Sequence, residues 1–215
     1  MRYFLDFEKP IAELESKIDE LRKMPEAEGL NIADEVAKLT EKADRQLRAT
    51  YAKLTAWQKT QVARHPERPK ANDFIRHLIT DWTPLAGDRA FADDAAILSG
   101  LGRFRGRSVM VLGTEKGVDT ESRVAHNFGM ARPEGYRKAR RLIELAGRFG
   151  LPVLTFVDTS GAFPGVEAEA IARSIEACLD APVPVVATIV GEGGSGGAIA
   201  LAAGDAVLMM EHAVY

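Results

Sequence analysis

The sequence predicts an α/β protein: a largely parallel sheet preceded by a helical segment. Two observations point there. Between Pro152 and Ala203 the order strand, glycine-rich loop, helix occurs twice, and such alternation implies parallel strands joined by right-handed crossovers. Ahead of it, Ile11, Leu14, Ile18 and Leu21, then Ile32, Val36, Leu39, Ala43, Leu47 and Leu54, recur at helical spacing with charged residues between them.

Residues 11–54 therefore read as an antiparallel helical hairpin, broken around Met24–Gly29 by Pro25 and Gly29. Its apolar seam must be covered, either as a packing arm on the main domain or as an interface for another subunit. Residues 56–88, with Trp57, His65, Pro66, Pro69, His77, Trp82 and Pro84, read as irregular connection with a short helix near Asp73–Thr80. His65 and His77 lack the i, i+4 spacing of a helical metal pair. Ile97–Phe104 and Ser108–Leu112, flanking Arg105-Gly106-Arg107, predict a β-hairpin.

After the polar stretch Val118–Arg132, a helix is expected from Pro133 to Phe149. It has proline at its start, Glu134 in its first turn and Gly150 just past its end. Pro152–Asp158 predicts a strand opening into SGAFPG, followed by a helix from Val166 to Leu179. Val183–Val190 predicts the next strand, opening into GEGGSGG, with a short helix Gly197–Ala203 and a last strand Ala206–Met210. The expected division is 1–86 for arm and connection and 87–215 for the core.

The chain has 215 residues, 46% of them hydrophobic, enough for one moderate domain with an attached element. A net charge of -3 gives no overall basic field, so no nucleic-acid partner is expected. Cys178 is the single cysteine, which excludes an internal disulfide and a multi-cysteine zinc site, suits a reducing compartment, and fits a buried helix position. The N-terminus lacks an apolar signal region, and prolines and glycines interrupt the one candidate span, Ala181–Met210. A cytoplasmic protein without a membrane segment is expected.

In GEGGSGG five of seven residues are glycine, a loop suited to bringing bare backbone against a ligand. Gly191, Gly193 and Gly196, with Glu211 20 residues beyond the first, mimic a dinucleotide fingerprint, but the following helix is too short. No lysine follows the glycines, which excludes a Walker phosphate loop. Gly193–Gly197 also spells GxSxG with Asp205 and His212 downstream, a serine-hydrolase reading based on Ser195; the close spacing leaves no strands to carry the partners. The third reading uses backbone: two glycine loops at one sheet edge can aim N–H groups at a developing oxyanion, as an enolate of a thioester requires.

LDFEKPIAELE (Leu5–Glu15), GDRAFADDAAI (Gly87–Ile97), NFGMARPEGYRKARRL (Asn127–Leu142), LPVLTFVDTSGAFPGVEAE (Leu151–Glu169), IARSIEACL and PVPVVATIVGEGGSGGAIAL occur in this order. Through these motifs the chain resembles the carboxyltransferase α subunits of bacterial and plastid multi-subunit acetyl-CoA carboxylases. The resemblance implies a crotonase-like spiral of ββα units preceded by the helical hairpin as a subunit-packing arm. It implies transfer of a carboxyl group from carboxybiotin on a carrier protein to acetyl-CoA, giving malonyl-CoA in an ATP-dependent complex of fatty-acid synthesis. The implied partners are a zinc-bearing β subunit in an α2β2 assembly, the biotin carboxyl carrier protein and biotin carboxylase, with no metal in this chain. The location implied is the bacterial cytosol or, in a plant, the plastid stroma.

The implied oxyanion donors are Gly161 and Gly165 of SGAFPG with Gly196 and Gly197 of GSGGA; Phe163, Val166, Gly193, Gly194 and Ser195 are expected to receive biotin. Three departures stand out. Ser160 replaces the family's usual proline and Phe163 its tyrosine, the family carries extra residues between Glu169 and Ala170, and it continues well past Tyr215. On the last ground, activity of the 215-residue piece alone is not expected, and a catalytically silent structural partner is the alternative. Lys116, Arg123, Arg132, Arg137 and Lys138 could meet coenzyme A phosphates or partner acids, although solvated faces explain them more simply.

Overall fold

The computed structural model describes residues 3–24, 32–165 and 168–215. The expected helix break at Pro25 and Gly29, and Val166, lie outside the described residues. The chain falls into two units, Met1–His65 and Pro66–Tyr215.

In the first unit a 3-10 turn, Asp6–Glu8, leads into α1, Lys9–Lys23, which starts on a proline and buries Ile11 and Ile18 one heptad apart. Helix α2, Ile32–Tyr51, packs along α1 and buries Ala43. The buried Glu8 carboxylate accepts from the Leu5 N–H at 2.7 Å and from the Tyr51 hydroxyl at 2.6 Å, joining the end of α2 to the entrance of α1. A third helix, α3 (Ala56–Ala63), lies where irregular connection was expected. Its signal was a capping box: Thr55 Oγ1 accepts from the Gln58 N–H at 3.2 Å, and Gln58 Oε1 from the Thr55 N–H at 2.8 Å.

The second unit opens with α4, Ala71–Leu78, and builds one six-stranded sheet. Its strands are β1 (Ile79–Pro84), β2 (Ile97–Phe104), β3 (Arg107–Thr114), β4 (Val153–Thr159), β5 (Val185–Gly193) and β6 (Ala206–Met209), adjacent in chain order. The pairs β1–β2 and β2–β3 are antiparallel; from β3 onward every pair is parallel. Helices α5 (Thr120–Ala125) and α6 (Pro133–Phe149) connect β3 to β4, α7 (Ala168–Leu179) connects β4 to β5, and α8 (Ser195–Ala202) connects β5 to β6. Because the order only advances, right-handed crossovers put α6, α7 and α8 on one face. There Leu142, Ile143, Cys178 and Leu201 form a core with Leu112, Val157 and Ile189. On the other face Ala71 and Ile75 of α4 cover Val111, Phe156 and Val190, with Phe74 stacked on Phe156 at 5.6 Å.

Helix α6 has its expected bounds, and Gly150 ends it in the left-handed conformation at φ 65°. The connection expected up to residue 86 is corrected at β1. Residues 79–84 join the sheet as an ordered strand, within the unit that begins at Pro66. Proline is tolerated there because β1 is an edge strand, and Asp81 at φ 52° sits in a bulge between Thr80 and Thr83 that destroys the alternating pattern. A sheet that never reverses strand order has no switch-point crevice, and Gly191 and Gly193 lie inside β5, so the dinucleotide fingerprint fails. Among the described residues no helix is long and apolar enough to cross a membrane.

Candidate active site

Strands β4 and β5 run parallel and adjacent, so both glycine loops leave the sheet at its C-terminal edge. The loops meet backbone to backbone. The Gly194 N–H donates to the Thr159 carbonyl at 2.7 Å, and a Cβ on Gly194 would collide with the Ser160 carbonyl. A Cβ on Gly197 would stand 2.6 Å from the Gly161 carbonyl carbon and 2.8 Å from the Ala162 nitrogen. Glycine is required at 194 and 197 because another main chain occupies the side-chain volume. Gly196 differs: its nearest neighbours are Ile171 side-chain atoms at 3.6 Å, ordinary van der Waals contact.

The first intrahelical bond of α8 runs from the Ala198 N–H to the Gly194 carbonyl at 3.1 Å. The N–H groups of Ser195, Gly196 and Gly197 thus precede any helical partner and meet no acceptor among the described residues. They sit at the positive end of the helix. In the facing loop the Gly161 N–H donates to Thr159 Oγ1 at 3.1 Å, and that hydroxyl donates to the Gly161 carbonyl at 2.6 Å. The Phe163 N–H donates to the Ala131 carbonyl at 3.0 Å. Between them, the Ala162 N–H meets no acceptor among the described residues. Sequence reasoning missed Ala162, because nothing in SGAFPG says which amides its own turn consumes.

Of the other expected residues, Gly165 is exposed, at a positive φ of 155°. The exposed Phe163 ring lies 5.0 Å from the Arg132 guanidinium carbon. The Gly193 N–H is spent on the Val214 carbonyl at 2.8 Å. Ser195 is exposed at φ 56°, in the strained strand-to-helix position a nucleophile elbow would use. Its triad does not form: Asp205 accepts from the Val185 N–H at 2.8 Å, at the opposite end of β5, and among the described residues the Ser195 hydroxyl bonds no histidine.

Two groups of charges flank these loops, and neither lies on a solvated face. Lys116, in the loop after β3, places its ammonium 2.8 Å from Asp158 Oδ1 and 3.3 Å from Glu192 Oε2, with its side chain 19% exposed. Along α6, Lys138 is 2% exposed and donates to Asp93 Oδ1 at 2.6 Å and to the Asp94 carbonyl at 2.7 Å. Arg137 Nε donates to Asp88 at 2.7 Å, and Asp94 Oδ2 accepts from the N–H of Arg132, the residue before α6, at 2.6 Å. Burial pushes the Asp94 carboxyl up against its own N–H bonds. At Asp88 burial also pushes upward, but the N–H groups of Phe91, Ala90 and Ala92 and the Arg137 guanidinium prevail and hold it at about 2. These acids form a clasp between the Asp88–Asp94 turn and α6. Among the described residues no cluster of His, Cys, Asp and Glu could hold a metal ion.

The arrangement is a pair of abutting main-chain loops whose free N–H groups can stabilise an oxyanion, without a nucleophile–base pair. Known proteins resemble this chain along nearly its whole length. The model of the acetyl co-enzyme A carboxylase carboxyltransferase-like family matches residues 4–215. The acetyl-coenzyme A carboxylase carboxyl transferase subunit alpha of Acidiphilium cryptum is 70% identical over 221 residues, covering 100% of this chain and 70% of that protein. The subunit of the same name from Gluconacetobacter diazotrophicus is 67% identical over the same shares of both chains. Among solved structures, transcarboxylase 12S superposes with a TM-score of 0.59 at 15% identity, over 99% of this chain and 38% of that one. A Pseudomonas malonate decarboxylase heterodimer gives 0.53 at 23%, over 67% and 63%. These two show a shared fold, the crotonase-like α/β architecture expected. The chain belongs to the acetyl co-enzyme A carboxylase carboxyltransferase-like family.

Proposed function

We propose that this chain is the α-side half of an acetyl-CoA carboxylase carboxyltransferase, and that its contribution to the chemistry is main-chain. The observation that carries this reading is the set of N–H groups of Ser195, Gly196 and Gly197, unengaged at the start of α8, beside that of Ala162. Carboxybiotin, presented by a carrier protein, would supply the carboxyl group and the ureido nitrogen that takes the methyl proton of acetyl-CoA. The residues fit such a group: the edge is open, donor-rich and flanked by the apolar Phe163 face, and no side-chain base is needed.

Both the thioester enolate and the ureido group place negative charge on an oxygen, and preorganised N–H donors stabilise that charge more in the transition state than in the ground state. Gly196 and Gly197 donate from one loop and Ala162 from the other. Gly161, whose N–H is bound to Thr159, and Gly194 and Gly193, bound to Thr159 and Val214, hold the loops in shape. Gly165 and Phe163 lie on the outer rim. A zinc-bearing β subunit completes the site in an α2β2 assembly, the amphipathic helices α1 and α2 serving as the packing arm. The biotin carboxyl carrier protein and biotin carboxylase complete the larger complex.

Reconstitution tests the reading. The complex with a β subunit is expected to decarboxylate malonyl-CoA when a soluble biotin analogue is supplied. A complex that assembles without such turnover would overturn it.

A further inference from the structure

Directly beneath the donor loops, β5 carries a bulge. Val157 pairs with Ile189 but Thr159 pairs with Gly193, so Val190, Gly191 and Glu192 stand opposite the single residue Asp158. This displacement carries Gly194–Gly197 toward the SGAFPG loop. The Asp158 carboxylate fills the bulge. It accepts from the Glu192 N–H at 2.9 Å and lies where a Cβ on Gly191 would be, 2.5 Å from Oδ1. Lys116 closes the arrangement, its ammonium shared between Asp158 and Glu192. Its stem is pinned beneath Gly129, at φ 78°, where a Cβ would stand 2.7 Å from Lys116 Cγ. Other charged groups lie nearby: Arg68 Nε donates to the Val190 carbonyl at 2.6 Å, and the Glu115 carboxylate accepts from the N–H groups of Asn72 and Gly117.

We propose that Lys116 is a positioning residue for carboxyl transfer: by neutralising Asp158 and Glu192 together, it fixes the β5 bulge that aims the N–H groups of Ser195–Gly197. Two largely buried carboxylates around one backbone loop repel unless a cation sits between them, and the loop moves with Glu192. The proposal rests on the carboxyltransferase reading for its effect on turnover. Its structural half stands independently.

The test compares Lys116→Met, Lys116→Arg and the double variant Lys116→Met/Glu192→Gln in the complex assembled with the β subunit. Misplacement of reacting groups by about 1 Å costs about 10²-fold, so Lys116→Met is expected to lose about 10²-fold in kcat with the KM for malonyl-CoA changed less than threefold. Removing the second carboxylate is expected to restore about tenfold of that loss, and Lys116→Arg to fall between wild type and Lys116→Met. A Lys116→Met kcat within twofold of wild type, or a double variant no better than the single, overturns the proposal. Amide hydrogen exchange gives a readout free of activity. The N–H groups of Glu192, Gly193 and Gly194 are bonded to Asp158, Val214 and Thr159, and are expected to exchange at least tenfold faster in Lys116→Met, with α6 unchanged. Faster exchange in a complex whose wild type is inactive would refute the carboxyltransferase reading and leave the positioning intact; unchanged exchange would refute the positioning.

Discussion

The Asp88–Asp94 clasp on α6 and the glycine edge above β4 and β5 are built from opposite materials. The clasp concentrates charge: Asp88, Asp93 and Asp94 engage Arg137, Lys138 and the N–H of Arg132 just before α6. The edge offers main chain, with its nearest ions sunk beneath it in the β5 bulge. By charge alone the clasp would be taken for the functional site. Its carboxylates, however, are saturated by N–H groups and cations, so little is left to offer a substrate. At the edge three consecutive N–H groups have no acceptor among the described residues. Unspent hydrogen-bonding capacity, rather than the density of titratable groups, marks where chemistry can occur.

This contrast predicts that damage to the clasp appears as lost stability and damage to the edge as lost turnover. The largest stability effect is expected from Lys138→Met, which removes a buried ammonium from the partly exposed Asp93 carboxylate and leaves the Asp94 carbonyl without its donor, at a cost of about 2 kcal/mol. Urea unfolding should show it, while turnover per folded molecule stays within about twofold of wild type. Gly197→Ala drives a Cβ into the Gly161 carbonyl and is expected to lower kcat by about 10²- to 10³-fold, the size seen when an oxyanion donor is displaced.

Acid should weaken the clasp selectively. The Asp88 carboxyl is held at about 2, below its unfolded value of 3.8. Its contribution, about 2 kcal/mol, is present in full above the unfolded value and is lost as pH falls toward the folded one. Unfolding midpoints measured from pH 5 to pH 2 should reveal this slope, and Asp88→Asn should flatten it. The smallest effect is reserved for Ser195→Ala: without a base to activate the hydroxyl, kcat is expected to fall less than about fivefold. Labelling of Ser195 by a fluorophosphonate would contradict that.

Much of the fold is legible in the sequence because local signals agree with tertiary packing. Helix α6 begins on Pro133, carries Glu134 in its first turn and stops at Gly150. The two strand-loop-helix repeats place both glycine loops at one edge without further information. What remains hidden depends on register. Strand β1 is disguised by its bulge at Asp81 and by Pro84, and residues 118–132 conceal α5 and a 3-10 turn. The Lys116–Asp158–Glu192 cluster joins residues far apart in the chain, and it forms only because β5 gains residues against β4 between Ile189 and Gly193. The site was half legible. The sequence singles out the backbone at SGAFPG and GSGGA as the candidate, but which amides are free depends on turn bonds such as Gly161 to Thr159. Ala162 therefore emerges only from the structure.

The most direct test removes one donor without changing shape: replacement of the Gly196 peptide N–H by an ester oxygen in the chain assembled with its β subunit. Gly196 has room around it, so the substitution perturbs hydrogen bonding rather than packing. If the main chain stabilises the oxyanion, kcat for malonyl-CoA decarboxylation falls about 10²-fold while KM stays nearly constant. A kcat within about twofold of the all-amide protein, with Gly197 giving the same result, would contradict the assignment of catalysis to this edge.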